Sequence, residues 1–308
     1  MPAMLTTRTG LGLEISAGGL NFAMVTGGKT PKVETGLSVP FAPGMLTLSR
    51  REPNVNDPKG FVTALREGYL RLLTRERSVS VSVPDAVGRV VLLDLEARFR
   101  NREEGLDVIR WKLKKSLPFD IGTVHLDYQT LEEKESGAVS LLVSLVSRAV
   151  VTQYEELLIQ AGLEPKQIDF TSFNLYRLFA PRLDISDDGA FVTFYQGAMT
   201  VLIFHAGVLS FYRTKEGVGD VQNLYREVNS SFLVYGDRFP GQAVGEVLCM
   251  AAPADAEAFR ALVAEAAGLE PVLLDLERMV QQAPVLGLDR PALHALAGSI
   301  GAALRSLP

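Results

Sequence analysis

The chain has 308 residues, 47% of them hydrophobic, which allows one large or two medium domains with a sizeable core. A net charge of −5 and a pI near 5.4 argue against nucleic acid and against attraction to anionic lipid. The single cysteine, Cys249, excludes an internal disulfide and suits a reducing compartment.

MPAMLTTRTG has no apolar core of a secretory signal. The longest apolar run, near Ala138–Val146, is broken by serines and too short for a bilayer. A soluble cytoplasmic protein is therefore expected.

Residues 11–39 read as three short alternating strands joined by glycine turns. A turn-rich stretch, Pro40–Pro58, precedes a helix whose Phe61, Leu65, Tyr69 and Leu72 share one face. Asp57 is its expected cap, with Pro58 in the first turn. Ser78–Val83 alternates strictly and reads as a strand, ended by Pro84-Asp85.

Residues 86–165 form a second module in the order strand, helix, strand, strand, helix. Its strands are expected at Val90–Leu95, Val124–Leu131 and Ala138–Val146, and its helices at Glu103–Leu117 and Thr152–Ala161. Gly162 is placed to cap the second helix. A strand at Lys166–Asp169 and a helix at Ser172–Phe179 follow, and the polar Pro181–Gly189 marks the boundary between halves.

Residues 190–213 repeat the three-strand pattern of residues 11–39. Helices are expected over Val221–Tyr235, Ala254–Ala267 and Pro291–Leu307, and strands over Val244–Met250 and Val272–Leu276. Asp289 is the expected cap of the last helix. A meander opening each half is the mark of a duplicated α/β fold.

The long ordered run through residues 108–179 resembles PilM, the actin-like component of type IV pilus assembly. It is carried by Arg110-Trp111 leading into Leu117-Pro118-Phe119, by Leu126-Asp127-Tyr128-Gln129, by the Tyr154–Leu158 helix and by Ala161-Gly162-Leu163-Glu164-Pro165. The resemblance continues weakly over nearly the whole chain. It implies a duplicated actin-like (RNase H-like) α/β fold with a small β-α-β-β-α insert. The subdomains would be 8–85 with 166–182 and 291–308, the insert 86–165, and a second actin-like subdomain 186–290. Only Lys215–Asp220 joins the second meander to the next helix, so the lid subdomain of PilM-like ATPases is expected to be missing.

In that fold the turn after each first strand grips the phosphates of ATP. Here the first reads Glu14-Ile15-Ser16-Ala17-Gly18-Gly19-Leu20-Asn21, with an acid for Mg²⁺ retained but Asn21 at the family's lysine position. In the second turn the expected acid falls on Thr193 and the expected glycine on Tyr195, a large ring where backbone must approach phosphate. The adenosine site reads Cys249-Met250-Ala251-Ala252-Pro253, and Pro253 offers no N–H. Glu14, Ser16, Gly18, Gly19, Thr193, Tyr195, Ala251 and Ala252 thus read together as a vestigial nucleotide site, with ATP and Mg²⁺ disfavoured and no cofactor expected.

His125, His205 and His294 are widely spaced, no metal grouping or nucleophile motif occurs, and Gly27-Gly28 reads as a hairpin turn. Arg110, Lys112, Lys114 and Lys115 form either a solvated helix face or a docking surface; Trp111 is either an interface anchor or a plug.

The resemblance implies a scaffold that binds the cytoplasmic N-terminal peptide of a PilN-like inner-membrane protein between the first subdomain and the insert. The expected contacts are Val91, Leu93, Trp111, Lys115, Pro118 and Phe119. A pilus assembly ATPase and self-association are further expected contacts, and the location implied is the inner face of the bacterial inner membrane. An active ATP-binding protein and a GspL- or MshI-type secretion component remain alternatives, the GspL version disfavoured by the lack of a following transmembrane helix.

Overall fold

A computed structural model describes residues 8–96, 98–117, 120–184 and 186–307. β1 (Thr9–Ser16), β2 (Gly19–Thr26) and β3 (Lys32–Pro40) form the first meander. Helix α1 (Pro58–Arg71) starts where Asp57 accepts a hydrogen bond from Gly60 N, as its sequence predicts. It returns the chain to β4 (Ser78–Val83), parallel to β1.

The excursion that follows comprises β5 (Gly88–Leu95), α2 (Arg102–Leu113), β6 (Val124–Glu133) and β7 (Val139–Ser147). These strands form their own antiparallel sheet, ordered β5-β7-β6. Asn101 caps α2 through Glu104 N, while Glu104 reaches back to Arg100 N. The helix stops at Leu113, a turn earlier than predicted, and Lys115 lies in the turn beyond it.

Helix α3 (Arg148–Ala161) ends at Gly162, whose φ of 91° is the left-handed conformation that suits glycine. The sequence pattern assigns α3 to the insert. Instead it packs on α1, and Val150, Tyr154, Leu157 and Leu158 lie in the first half's core. The insert is therefore β5 to β7 with α2.

β8 (Glu164–Phe170) pairs with β4, and α4 (Thr171–Leu183) leads into the second half. The helix runs through Pro181, where the sequence suggested a break, and ends two residues later at Leu183. β9 (Gly189–Tyr195), β10 (Ala198–His205) and β11 (Val208–Glu216) form the second meander. Only Gly217–Asp220 separates β11 from α5 (Val221–Arg238), so no lid intervenes there. β12 (Glu246–Met250), α6 (Ala256–Ala267) and β13 (Val272–Leu273) complete this half.

The chain then returns to the first half. β14 (Gln281–Gln282) pairs with β3, and α7 (Arg290–Ala295) begins at the predicted cap Asp289. The predicted single helix breaks at Leu296, after which α8 (Ala297–Arg305) packs on β1 and β2.

The main sheets are ordered β14-β3-β2-β1-β4-β8 and β11-β10-β9-β12-β13. Meander strand three, two, one, then two parallel strands is the same arrangement twice, so the duplication extends to topology. Helices α4 and α8 lie between the sheets, where Leu175, Phe179 and Ile300 meet Phe191 and Leu248 in one core. Their crossing is close: a methyl on Gly301 would overlap the Asn174 carbonyl oxygen. Separate cores lie under α1 and α3, under α5 and α6, and between α2 and the insert sheet.

Candidate functional site

Two places gather polar groups that packing alone does not explain: the junction of the two meander turns, and a cavity beside the insert. At the junction, strand pairing fixes which residues correspond. Ser16 faces Gly19 across the first turn and Tyr195 faces Ala198 across the second. Counting back, Thr193 occupies the place of Glu14, and Tyr195 that of Ser16, the register expected from sequence.

Glu14 is fully buried with its carboxyl turned inward, touching Gly298 of α8, where any side chain would collide with it. Asn21 Nδ2 donates to its Oε2 at 3.0 Å, and the Tyr195 hydroxyl lies 2.8 Å from the same oxygen. Ser38 in turn donates to Asn21 Oδ1 at 2.6 Å. Desolvation pushes the Glu14 carboxyl up to about 7 against the relief from these two bonds. The Tyr195 phenol is pushed well above its usual range by burial and by the Glu14 charge. Its hydroxyl also lies 3.0 Å from Ala295 O and accepts from Gly298 N at 3.3 Å, while its ring meets His294 edge-on. A side chain of the second half thus bonds a carboxyl of the first where the two turns converge.

Most of the remaining residues of this predicted site are also enclosed. Thr193 is buried, and Ser16 Oγ donates to Gly19 O within its own turn. Ala251 is buried and Ala252 half-buried in the turn after β12. Gly18 alone has open space around it.

A second tyrosine joins the halves. The Tyr212 hydroxyl of β11 donates to Asp85 Oδ1 at 2.6 Å, and Ser172 N donates to Asp85 Oδ2 at 3.0 Å, with Ser172 Oγ beside it. Burial raises the Asp85 carboxyl, and Glu216, held nearby by Ala86 N, is raised by burial and then by Asp85. Neither residue was marked by the sequence reading. A lone aspartate after a strand reads as a turn residue.

The cavity has a volume of about 1190 Å³ and lies between the insert, the first half and the β10–β11 turn. One wall is the face of the insert sheet opposite α2, carrying His125, Asp127, Gln129, Leu142, Ser144 and Val146. The other is β8 with the starts of α3 and α4, carrying Tyr154, Gln167, Ile168, Phe173 and Arg177. Among the described residues β6 and β8 are both last strands of their sheets, so each has one backbone edge without a strand partner there. Arg177 and Arg305 lie 3.6 and 3.3 Å from Asp169 Oδ2 at one end. Phe204 stacks on Tyr176 at 5.4 Å at the β10–β11 end.

The partner residues expected from sequence do not line this cavity. Val91 and Leu93 pair with Val143 and Leu141, which face α2. Alternation puts Val90 and Leu92 on the cavity side instead. Trp111 is 73% exposed on α2 and plugs nothing, and Lys115 is exposed. Pro118 and Phe119 lie outside the described residues. Tyr154 was noticed only as part of a helix motif and Gln167 only inside a strand; the strict alternation of β6 was the available clue to the cavity wall.

Among the described residues no His, Cys, Asp and Glu group suits a metal ion, and no helix is long and apolar enough to cross a membrane. Cys249 is buried, its thiol pushed up to about 12 mainly by burial.

No family model matches the chain, and no curated protein is significantly similar to it. Solved structures are. The PilM-PilN type IV pilus biogenesis complex aligns over 97% of this chain and 98% of its own, with 20% identity and a TM-score of 0.81. The chain has the actin-like fold. The cytoplasmic domain of EpsL, an inner membrane component of the type II secretion system of Vibrio cholerae, aligns over 97% and 96%, with 14% identity and a TM-score of 0.55. A protein with actin-like ATPase fold from Bacteroides thetaiotaomicron aligns over 91% and 95%, with 12% identity and a TM-score of 0.54. In this actin-like chain the paired turns and the insert cavity are thus the two sites to weigh.

Proposed function

We propose that this protein is a PilM-like scaffold of a type IV pilus or related type II secretion assembly. It is held at the inner face of the bacterial inner membrane by binding the cytoplasmic N-terminal segment of a PilN-like protein. The observation that carries this reading is the cavity between the edge strands β6 and β8. It exceeds the roughly 300–1,000 Å³ of small-molecule sites. Its walls offer what an extended peptide uses: free main-chain groups along an edge and alternating apolar and polar pockets. The likeness to the PilM-PilN complex supports the choice of partner.

The paired turns support a reading without nucleotide. Magnesium needs an ionised, accessible carboxylate. Glu14 is enclosed, carries a carboxyl raised to about 7 and is bonded to Tyr195. Tyr195 fills the place where backbone would approach phosphate. These residues do not fit Mg·ATP.

The test is calorimetric titration of a synthetic peptide, the cytoplasmic N-terminus of the PilN-like protein from the same genome. The expected result is micromolar binding that Ser144→Arg, on the cavity face of β7, abolishes without changing the circular dichroism spectrum. Absence of binding to the wild-type chain, or equal binding to Ser144→Arg, overturns the docking reading.

A further inference from the structure

Helix α1 ends on an unusual residue. Leu73, just past the cap Leu72, adopts the left-handed conformation, with a φ of 53°. α3 and α6 turn through the same conformation on glycines, Gly162 and Gly268. A leucine there is strained. The side chain gains nothing by packing: Leu73 is 93% exposed, while Leu72 enters the core.

Leu70, whose carbonyl accepts from Leu73 N at 3.3 Å, is exposed as well. α3 ends at the same corner. Arg66 of α1 donates to Gln160 O at 2.6 Å, next to the exposed Ile159. Charge accompanies these aliphatic side chains. Arg71, Arg75 and Arg77 are exposed, and none is ion-paired among the described residues. The one acid within residues 70–77, Glu76, accepts from Ser78 N at 2.8 Å. Glu67 and Glu156 stand one turn back along α1 and α3. The whole chain carries a charge of −5, so this basic turn is a local exception.

We propose that this corner is a membrane-contact site. Leu70, Leu73 and Ile159 enter the headgroup boundary of an anionic bilayer, and Arg71, Arg75 and Arg77 meet its phosphates. The inference goes beyond the docking reading and stands without it.

The chemistry favours lipid over a protein partner. Interface anchors are typically Trp, Tyr or Arg seated in a pocket, and the apolar side chains here are aliphatic. A bilayer boundary needs no matching pocket, so a leucine standing almost wholly clear of a turn can enter it. Guanidinium groups without a carboxylate partner suit lipid phosphates, which they bind bidentately. The corner also adjoins the cavity. Arg77 O accepts from Glu164 N at 2.8 Å, where β4 and β8 begin, and Pro165 and Lys166 line the cavity. A membrane-tethered occupant of the cavity would hold this corner near lipid, and a weak contact then counts through its high local concentration.

The test is sedimentation of the whole protein, without peptide, with vesicles. One set contains phosphatidylethanolamine and phosphatidylglycerol, the other phosphatidylcholine alone. Binding is expected to the first only, and should fall as salt is added. Arg71→Glu combined with Arg75→Glu should weaken it more than about tenfold, since each cation near the surface contributes about fivefold. Leu73→Gly should weaken it about fivefold, yet melt at or above the wild-type temperature, because glycine relieves the left-handed strain. A leucine with only a structural role would do the reverse: a lower melting temperature and unchanged vesicle binding.

Absence of binding to phosphatidylglycerol vesicles at low salt overturns the proposal. So does equal binding to phosphatidylcholine, or wild-type binding in both variants, which would leave the corner to a protein partner. If Leu73→Gly fails to fold, the arginine pair, exposed on the surface, decides alone. The docking reading is judged by peptide titration, which the vesicle assay does not include, so either can fail without the other.

Discussion

The Tyr195 hydroxyl lies 2.8 Å from Glu14 Oε2, a contact between residues 181 positions apart that joins the first strands of the two duplicated meanders. Strand register makes Tyr195 the counterpart of Ser16 and Thr193 the counterpart of Glu14. The second half has therefore exchanged an acid for a neutral residue, and placed a phenol against the acid retained by the first. The contact is enclosed by Gly298 and Ala295 of the C-terminal helices, so three chain segments meet on one oxygen.

Tyr195→Phe should destabilise the protein. The ring would remain, but Gly298 N would lose its acceptor, and Glu14 would keep only the bond from Asn21. Orphaning buried groups costs about 1–3 kcal/mol, and that loss is the expected shift in urea unfolding at pH 7. A variant as stable as wild type would mean that the contact contributes nothing to joining the halves.

The raised Glu14 carboxyl predicts an unusual pH dependence. Its folded value of about 7 lies above its ordinary 4.5, so between those pH values the folded state holds the extra proton. Its contribution is full below 4.5 and is lost as pH rises to 7, about 3 kcal/mol in all by linkage. His294, which packs on Tyr195, has the opposite sign. Burial lowers it from 6.5 to about 4, so its contribution is present above 6.5 and is lost as pH falls to 4. The two slopes oppose each other over most of this range. Glu14→Gln should therefore uncover a stability that rises from pH 4 to 6.5, measured by urea unfolding at each pH. Parallel profiles for wild type and Glu14→Gln would rule out the shifted carboxyl.

The halves, their meanders and the register of the second turn were legible because period-two strands joined by tight turns declare themselves locally. Asp57, Gly162 and Asp289 marked helix ends for the same reason: a cap is chemistry within one turn of chain. What escaped was set by long-range packing. Nothing within Arg148–Ala161 says that its apolar stripe meets α1 rather than the insert sheet. In β5 every residue from Val90 to Leu93 is apolar, so alternation could not tell the α2 face from the cavity face, and it is the fold that puts Val91 and Leu93 on the α2 side. The residues Glu14 and Tyr195 were singled out from sequence, but their contact was not, since it needs the folded halves.

Mg·ATP should leave the melting temperature unchanged. A micromolar ligand at millimolar concentration would stabilise the folded state by about 4 kcal/mol, several degrees for a chain of this size. The expected null result follows from an enclosed Glu14 and from Thr193 in place of a second acid. A reproducible upward shift with Mg·ATP, absent in nucleotide-free buffer, would show that the turns reopen around nucleotide and would refute the reading without nucleotide.

Trp111→Ala and Lys115→Glu should leave affinity for the PilN-like peptide within about twofold of wild type, a change under ~0.5 kcal/mol. Exposed tryptophans beside basic residues are natural candidates for interface anchors, and the sequence pointed to this pair. The insert sheet stands in the way. Its α2 face is filled by Ile109, Leu113, Leu141 and Val143, while the cavity opens on the opposite face at Leu142, Ser144 and Val146. Trp111 lies in solvent outside the helix, so a peptide held between β6 and β8 has the whole sheet between itself and that ring. A tenfold loss in Trp111→Ala, with Ser144→Arg unaffected, would move the docking surface to the outer face of α2. If both variants bind the peptide normally but fail to support pilus assembly in cells, α2 serves a second partner distinct from the peptide.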